Sequence, residues 1–230
     1  MVKSVTFDLP GVLEGARRIV PLALGVFAYG LVFGVLAHQA RLSLLESLLM
    51  SGLVFAGTAQ FVALSLWIAP LPLGAIILTT LVINLRSLLM GAAIRPWLAK
   101  LGPLKTYTSV FFLADENWAL TMTAYANGST NGAMLLGSGL VLYLSWVCAT
   151  LVGQTAGGII RDPARWGLDF AFSAAFLALL VGMWKGKRDI APWLVAAVAA
   201  IVAAHWLPGK WYILIGGLAG SVTGAVQHAR

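Results

Sequence analysis

The stretch GLVFAGTAQFVAL, residues Gly52–Leu64, sets small and polar residues in the middle of a long apolar run. Shifting the sequence by 115 positions, half of its 230 residues, aligns this stretch with Gly167–Leu179, GLDFAFSAAFLAL. Eight of the 13 aligned positions are then identical. The number of identities and the half-length offset together indicate an internal duplication.

The composition is that of an integral membrane protein, with 60% apolar and 10% charged residues and a mean hydropathy of +0.91. Apolar stretches of about 20 residues recur along the chain, and each is long enough to cross a bilayer as a helix. They do not alternate as β-barrel strands do. The sequence therefore predicts an all-α polytopic membrane protein with about six to eight transmembrane segments in a single domain. The net charge of +7 comes without a basic run interleaved with aromatics, which argues against nucleic-acid binding.

Eight apolar segments follow a short interfacial lead over residues 1–18, and they form two halves at about 19–126 and 133–228. In chain order they are Ile19–Ala40, Leu45–Ala69, Leu73–Ile94, Tyr107–Ala126, Ala133–Ile160, Leu168–Trp184, Ile190–Leu207 and Trp211–Gln227.

The distribution of lysine and arginine predicts the topology. If segments 2 (45–69) and 6 (168–184) are broken or re-entrant, the cytoplasmic side receives 12 of the 15 basic residues and both termini. The outside receives only Arg41, Lys210 and the uncharged loop Asn127–Gly132. The two halves then form an inverted repeat, which is typical of secondary transporters, with a channel as the alternative.

Two alternatives to this topology stay open. Segment 4 carries Asp115, Glu116 and Asn117 near its centre, and if it does not cross, the orientation of everything downstream reverses. Segment 2 is long enough to cross completely if it is tilted.

The first copy of the repeat is the predicted binding site. Small residues over Ala56–Ala59, with Gly57 among them, allow the helix to break, and a helix broken inside a membrane exposes N–H groups that favour a carboxylate. Thr58 and Gln60 add side-chain hydrogen bonds. The alternative is a close helix crossing whose small residues bind nothing.

The second copy has diverged from the first. Phe172 replaces Gly57 and Ala175 replaces Gln60, so we expect the first copy to provide the polar contacts.

Segment 3 carries Asn84 and Arg86 within its apolar run. An arginine inside a membrane normally pairs with another group, and Asp115 or Glu116 of segment 4 is the expected partner. Such a pair is either structural or functional. In the functional case Arg86 or Asn84 neutralises a substrate carboxylate, and the acidic residues bind an ammonium group or relay a proton.

Asp169 lies near the start of the second repeat copy, either as a helix N-cap at the membrane edge or as a further group for charge pairing or proton coupling.

The sequence disfavours metal binding, hydrolysis and ATP-driven transport. The sequence has no HExxH or paired-cysteine pattern, no GxSxG and no Walker motif. We therefore expect no metal site, no cofactor and no enzyme activity.

Four blocks resemble the AzlC family of branched-chain amino acid permeases. They are, in order, Leu49–Phe61, Thr79–Met90, Asp115–Leu120 and Leu168–Leu180. The resemblance implies a prokaryotic plasma-membrane exporter of valine, leucine, isoleucine and methionine, coupled to the proton gradient, with a small AzlD-like membrane subunit as partner. The family often has histidine where this chain has Ser87, which puts the coupling route in question.

A zwitterionic aliphatic substrate needs three kinds of contact. Gly57–Gln60, including Ala59, would hold the carboxylate, and Asp115 or Glu116 the ammonium group. An apolar pocket would come from Phe55, Phe61 or Phe170. We expect transport by alternating access, while a channel or a structural subunit of an oligomeric membrane complex is the alternative.

Overall fold

The computed structural model of the chain describes residues 5–159, 177, 181, 186–207 and 211–228. Within these ranges the chain is helical apart from turns, short connections and one isolated β-bridge between Thr6 and Asn131. The helices are α1 Leu9–Gln39, α2 Leu44–Val54, α3 Gly57–Ser65, α4 Leu73–Leu98, α5 Pro103–Phe111, α6 Asp115–Ala126, α7 Ala133–Gly157, α8 Ile190–Trp206 and α9 Trp211–His228. The all-α polytopic class is confirmed, since four described stretches are long and apolar enough to cross a membrane: Leu9–Gln39, Leu73–Leu98, Ala133–Gly157 and Lys187–Trp206.

The helices α1 and α7 form the central pair and run in the same direction. A Cβ atom at Gly15 would lie 2.1 Å from the Met134 carbonyl oxygen, and one at Gly34 would lie 2.4 Å from that of Thr150. Further along, a Cβ atom at Gly157 would meet the His38 side chain at 2.7 Å. Glycine lets these backbones touch, as small residues do between membrane helices.

The parallel pair defines two ends of the molecule. We call the end where α1 and α7 begin the Asp8 end, and the end where they finish, near Leu42, the Arg41 end. At the Arg41 end, Gln154 Nε2 donates to the Leu42 carbonyl at 2.6 Å. At the Asp8 end, Asn131 Nδ2 donates to Asp8 Oδ1 at 2.6 Å.

Helices α2 and α3 form a hairpin that enters from the Arg41 end and doubles back, as expected for segment 2. Gln60 Nε2 donates to Ser51 Oγ at 3.2 Å, although nine residues separate them in sequence. Because nine helical residues would span about 13 Å, this contact requires the chain to fold back on itself between them. Phe61 then packs edge-on against Phe33, near the end of α1, with ring centroids 5.8 Å apart.

Helices α5 and α6 form a second hairpin, which enters from the Asp8 end. Three contacts occur in the same order along α4 and α6, so the two helices run in parallel: Arg86 with Asp115, Met90 with Trp118, and Trp97 with Tyr125. Since α4 reaches the Asp8 end at its last residues, α6 returns there too. A Cβ atom at Gly132, just after α6, would lie 2.8 Å from the Leu101 side chain, just before α5.

The second hairpin corrects the topology drawn from the charges. Segment 4 was expected to cross and to leave the loop Asn127–Gly132 on the side opposite the N-terminus. Instead, Thr6 N donates to the Thr130 carbonyl at 3.0 Å, and Gly132 N donates to the Thr6 carbonyl at 2.9 Å. Segments 1 and 5 therefore run in the same direction, whereas an inverted repeat requires opposite directions.

The physical reason for this difference lies at the start of α6. The helix of segment 4 ends at Phe111 and a new one begins at Asp115, where two carboxylates and an amide face the positive end of the new helix. This polar cluster turns the chain back, so segment 5 begins at the end where segment 1 began.

Helices α8 and α9 pack antiparallel on each other. A Cβ atom at Gly216 would lie 2.9 Å from Ala200, and one at Gly220 would lie 2.9 Å from Ala196. Of segment 6, the structure describes only residues 177 and 181, so Asp169, Phe170 and most of the second repeat copy lie outside the described residues.

Asp8 links the start of α1 to the α6–α7 loop, which predicts a pH-dependent contact. Its side chain accepts hydrogen bonds from Gly11 N, at 2.9 Å, and from Asn131, and both bonds hold the pKa of the carboxyl below its ordinary value of 3.8. The stabilisation is fully present above 3.8 and is lost as the pH falls through the lowered pKa. We expect Asp8→Ala to lower the melting temperature at pH 7, with a difference from the parent that shrinks in acid. A difference that stays constant over pH would contradict this assignment.

Candidate functional site

The first helix break lies in the repeated stretch. Helix α2 stops at Val54, Phe55 adopts a left-handed conformation with φ 43° and ψ 46°, and α3 starts at Gly57. Gln60 is buried and spans the break, since its Oε1 accepts from Ala56 N at 3.3 Å while its Nε2 donates to Ser51. These bonds satisfy backbone and side-chain groups that the break would otherwise leave unpaired.

The break is also attached to α7. Ser51 Oγ and Thr150 Oγ1 lie 2.8 Å apart, and both side chains are buried. The hairpin tip is thereby held against the middle of the central pair.

The start of α3 presents hydrogen-bond donors without a carboxylate of its own. It has no side-chain cap and no acidic residue in its first turn. Trp146 packs against this point, because a Cβ atom at Gly57 would lie 3.0 Å from the indole ring. The Trp146 Nε1 atom is buried and has no hydrogen-bond partner. Donors gathered at a helix N-terminus favour an anionic ligand.

The second helix break is closed by Asn117. Its Oδ1 accepts from Ala114 N at 2.8 Å and its Nδ2 donates to the Phe112 carbonyl at 2.7 Å. The tip touches α7 at Gly139, where a Cβ atom would lie 2.5 Å from Phe112 Cβ. Unlike α3, α6 carries acidic residues, Asp115 and Glu116, in its first turn.

The charged residues gather beside the second break. Arg86 Nη1 of α4 pairs with Asp115 Oδ2 at 2.5 Å, so Arg86 meets one of its two expected partners. The two side chains are 39% and 47% exposed, and a charged pair in an apolar segment normally faces protein or water rather than lipid. Glu116 is half-buried next to the pair.

Tyr143 of α7 joins the two breaks. Its ring contacts Phe55 at the first break, with centroids 5.2 Å apart, and Phe112 at the second, with centroids 5.1 Å apart. Its hydroxyl donates to the Gly52 carbonyl at 3.1 Å. Phe55 and Ala114, one from each tip, also pack against the same buried cluster of the central pair. The two hairpins therefore meet at the centre of the molecule.

The structure brings most of the predicted site residues to these two tips. Gly57 and Thr58 are half-buried at the start of α3, and Ala59 is buried one residue further on. Asn84 lies half-buried on α4, two residues before Arg86. Their roles toward a substrate stay predictions.

Sequence reasoning missed the second break and the two aromatic residues of α7. A polar triplet in the middle of an apolar segment, Asp115–Asn117, was the available sign of the break. No pattern marked Trp146, because its position against Gly57 depends on how the hairpin folds.

Comparison with known proteins identifies the relatives of this chain. A model of the family described as AzlC protein matches residues 21–160. The Bacillus subtilis branched-chain amino acid transport protein AzlC is 26% identical over 74% of this chain and 66% of its own length, so the chain spans just under two thirds of that relative. An Archaeoglobus fulgidus membrane protein is 33% identical over 81% of both chains.

The Escherichia coli inner membrane protein YgaZ is 26% identical over 94% of this chain and 90% of its own length. No solved structure matches the chain.

Proposed function

Because this chain belongs to the AzlC family of membrane transport proteins, we propose that it exports branched-chain amino acids across a prokaryotic plasma membrane. Valine, leucine and isoleucine are the expected substrates, with methionine as a fourth, and the proton gradient is the expected energy source. The observation that carries the proposal is the meeting of two helix breaks, one rich in donors and one rich in acceptors. An amino acid is a zwitterion and needs both kinds of group.

The carboxylate of the substrate binds at the start of α3. The N–H groups of Gly57, Thr58 and Ala59 begin that helix without a side-chain cap. Trp146, whose six-membered ring lies against Gly57, also carries a buried indole N–H without a partner. A carboxylate there meets donors and the positive end of the helix dipole, as substrate carboxylates do in other transporters with broken helices.

The ammonium group binds at the start of α6. Asp115 is already paired with Arg86, so Glu116 is the carboxylate that we assign to the ammonium group. Asp115 and Arg86 contribute to the electrostatic potential around Glu116. Phe55, Phe112 and Tyr143 form the apolar wall between the two ends. This apolar surface, between the start of α3 and the start of α6, suits an aliphatic side chain better than a polar one.

The described charges also orient the protein. Arg17, Arg18 and the basic residues over 95–105 lie toward the Asp8 end, and Arg41 lies at the other. By the positive-inside rule we assign the Asp8 end, with the N-terminus, to the cytoplasm. A cytoplasmic C-terminus and a small AzlD-like membrane subunit remain parts of the proposal.

Counterflow of labelled leucine in proteoliposomes tests the proposed function. A transporter loaded with unlabelled leucine accumulates external labelled leucine transiently and saturably, whereas a channel shows neither accumulation nor saturation. Exchange by this chain alone would exclude the alternative of a structural subunit, which shows no uptake without a second membrane subunit. Absence of exchange under every gradient, with and without that subunit, would reject export by this chain.

Trp146→Phe should weaken leucine binding by about tenfold, because a hydrogen bond to a charged group contributes about 1.5 kcal/mol or more. Phenylalanine keeps a ring against Phe33, on which Trp146 stacks. Leucinol, which lacks the carboxylate, should bind both proteins equally. The measurement is calorimetric titration in detergent.

Trp118→Phe is the matched control for this prediction. It also removes an indole N–H, but one that donates to the Met90 carbonyl at 3.2 Å. If both variants bind leucine as the parent does, the indole of Trp146 takes no part in binding.

A further inference from the structure

We propose that Tyr143 is the positioning residue that couples the two hairpin tips, so that only one tip leaves the centre at a time. The proposal rests on the proposed function. It names the residue that prevents the substrate site from opening to both sides of the membrane at once. Alternating access requires such exclusion, because simultaneous opening from both ends would let the substrate run down its gradient without coupling.

The hydroxyl of Tyr143 holds the first tip by its backbone. It donates to the Gly52 carbonyl at 3.1 Å. Gly52 lies in the last turn of α2, which stops at Val54. The final carbonyl groups of a helix have no partner within the helix, so this bond replaces one that the break removes.

The ring of Tyr143 holds both tips by their aromatic side chains. It meets Phe55 at an interplanar angle of 68° and Phe112 at 79°, so both contacts are edge-to-face. Phe111 adds a third ring, with its centroid 6.3 Å from that of Tyr143. Such pairs are favourable beyond the apolar area that they bury.

The two hairpins enter from opposite ends, so each can withdraw without the other. If α2–α3 moves toward the Arg41 end, Tyr143 loses Phe55 and the Gly52 carbonyl but keeps Phe112. If α5–α6 moves toward the Asp8 end, it loses Phe112 but keeps the first tip. The hairpins thus have four states: neither withdrawn, either one withdrawn, or both withdrawn. Only in the last does Tyr143 lose its contacts to both tips, so that state is the least favourable.

The backbone of Phe55 supports the same conclusion. Its φ of 43° is left-handed, and a residue with a bulky side chain adopts that region only where its surroundings impose it. Tyr143 contacts both the Phe55 ring and the nearby Gly52 carbonyl. The contacts with Tyr143 are therefore among those that hold this conformation in place.

Coupling is measured as the ratio of two rates. The first is leucine counterflow, with leucine on both sides of the membrane, and the second is leucine efflux into a medium without leucine. Tyr143→Leu removes ring and hydroxyl, and should lower this ratio about tenfold, since a pair of ring contacts is lost. Because both rates are measured on the same variant at saturating leucine, a change in leucine affinity does not by itself change the ratio. Tyr143→Phe keeps the ring contacts and should keep the ratio within about twofold. Tyr107→Leu is the matched control, because Tyr107 is 74% exposed on α5.

The outcomes separate this inference from the proposed function. Counterflow by the parent with an unchanged ratio in Tyr143→Leu would overturn the coupling role alone. A parent without counterflow would overturn the proposed function itself. If Tyr143→Leu does not fold, Phe112→Leu removes one of the two edge-to-face contacts, and a smaller fall in the ratio, about threefold, is expected.

Discussion

Replacing Gly137 with alanine is expected to destabilise the protein by about 3 kcal/mol or more, enough to remove most of the folded protein from the membrane. A Cβ atom at this position would lie 1.9 Å from the Val12 carbonyl oxygen and 2.6 Å from the Val12 carbonyl carbon. Both are backbone atoms of α1, so no side-chain rotation can relieve the overlap. The central pair would have to separate, and both hairpins pack on that pair.

Gly25→Ala is the control for this prediction. Gly25 is also a glycine of the central pair, but a Cβ atom there would have no neighbour within 4 Å. We expect this variant to be as stable as the parent or more stable by about 0.5–1 kcal/mol, because alanine is the better helix former. Thermal unfolding in detergent measures both variants. Equal stability of Gly137→Ala and Gly25→Ala would mean that α1 and α7 do not pack in the parallel register.

Loss of either charge at the second break should reduce leucine transport by about fivefold, because an ion pair whose side chains are 39% and 47% exposed contributes about 1 kcal/mol. Arg86→Gln leaves Asp115 without its cation, and Asp115→Asn leaves Arg86 without its anion. Uptake into vesicles, normalised to the amount of folded protein, is the measurement.

The reversed pair separates a structural role from a functional one. Arg86→Asp combined with Asp115→Arg restores opposite charges on α4 and α6 and should recover folded protein. We expect transport to stay low, because the substrate has a fixed polarity and the acidic group must remain at the α6 tip, next to Glu116. Full recovery of transport would assign the pair to structure alone.

The first break could be predicted because its cause is local. Small residues around Gly57 and the polar Gln60 interrupt an apolar run, and the structure breaks the helix at Phe55 and Ala56. Gln60 was expected to face the substrate, but its amide closes the break by bonding Ala56 and Ser51. Which polar group serves the chain and which serves a ligand depends on the folded hairpin, so local sequence could not decide it.

The orientation of the segments that follow segment 4 could not be predicted from local sequence. It depends on whether segment 4 crosses, and hydropathy is ambiguous where Asp115–Asn117 interrupt an apolar segment. The sequence left open that segment 4 does not cross the membrane, but the distribution of lysine and arginine favoured a topology in which it does. The pairing of α6 with α4, through Asp115, Trp118 and Tyr125, is a long-range contact that periodicity does not report.

Cysteine labelling from the two sides of the membrane tests the central claim most directly, namely that two hairpins enter from opposite ends and meet at Tyr143. In a Cys148→Ser background, single cysteines replace Lys105, Asn127, Arg41 and Pro70, which are all exposed. A membrane-impermeant maleimide should label positions 105 and 127 from one side, and positions 41 and 70 from the other. Labelling of position 127 together with position 41 would mean that segment 4 crosses the membrane, and it would contradict the second hairpin.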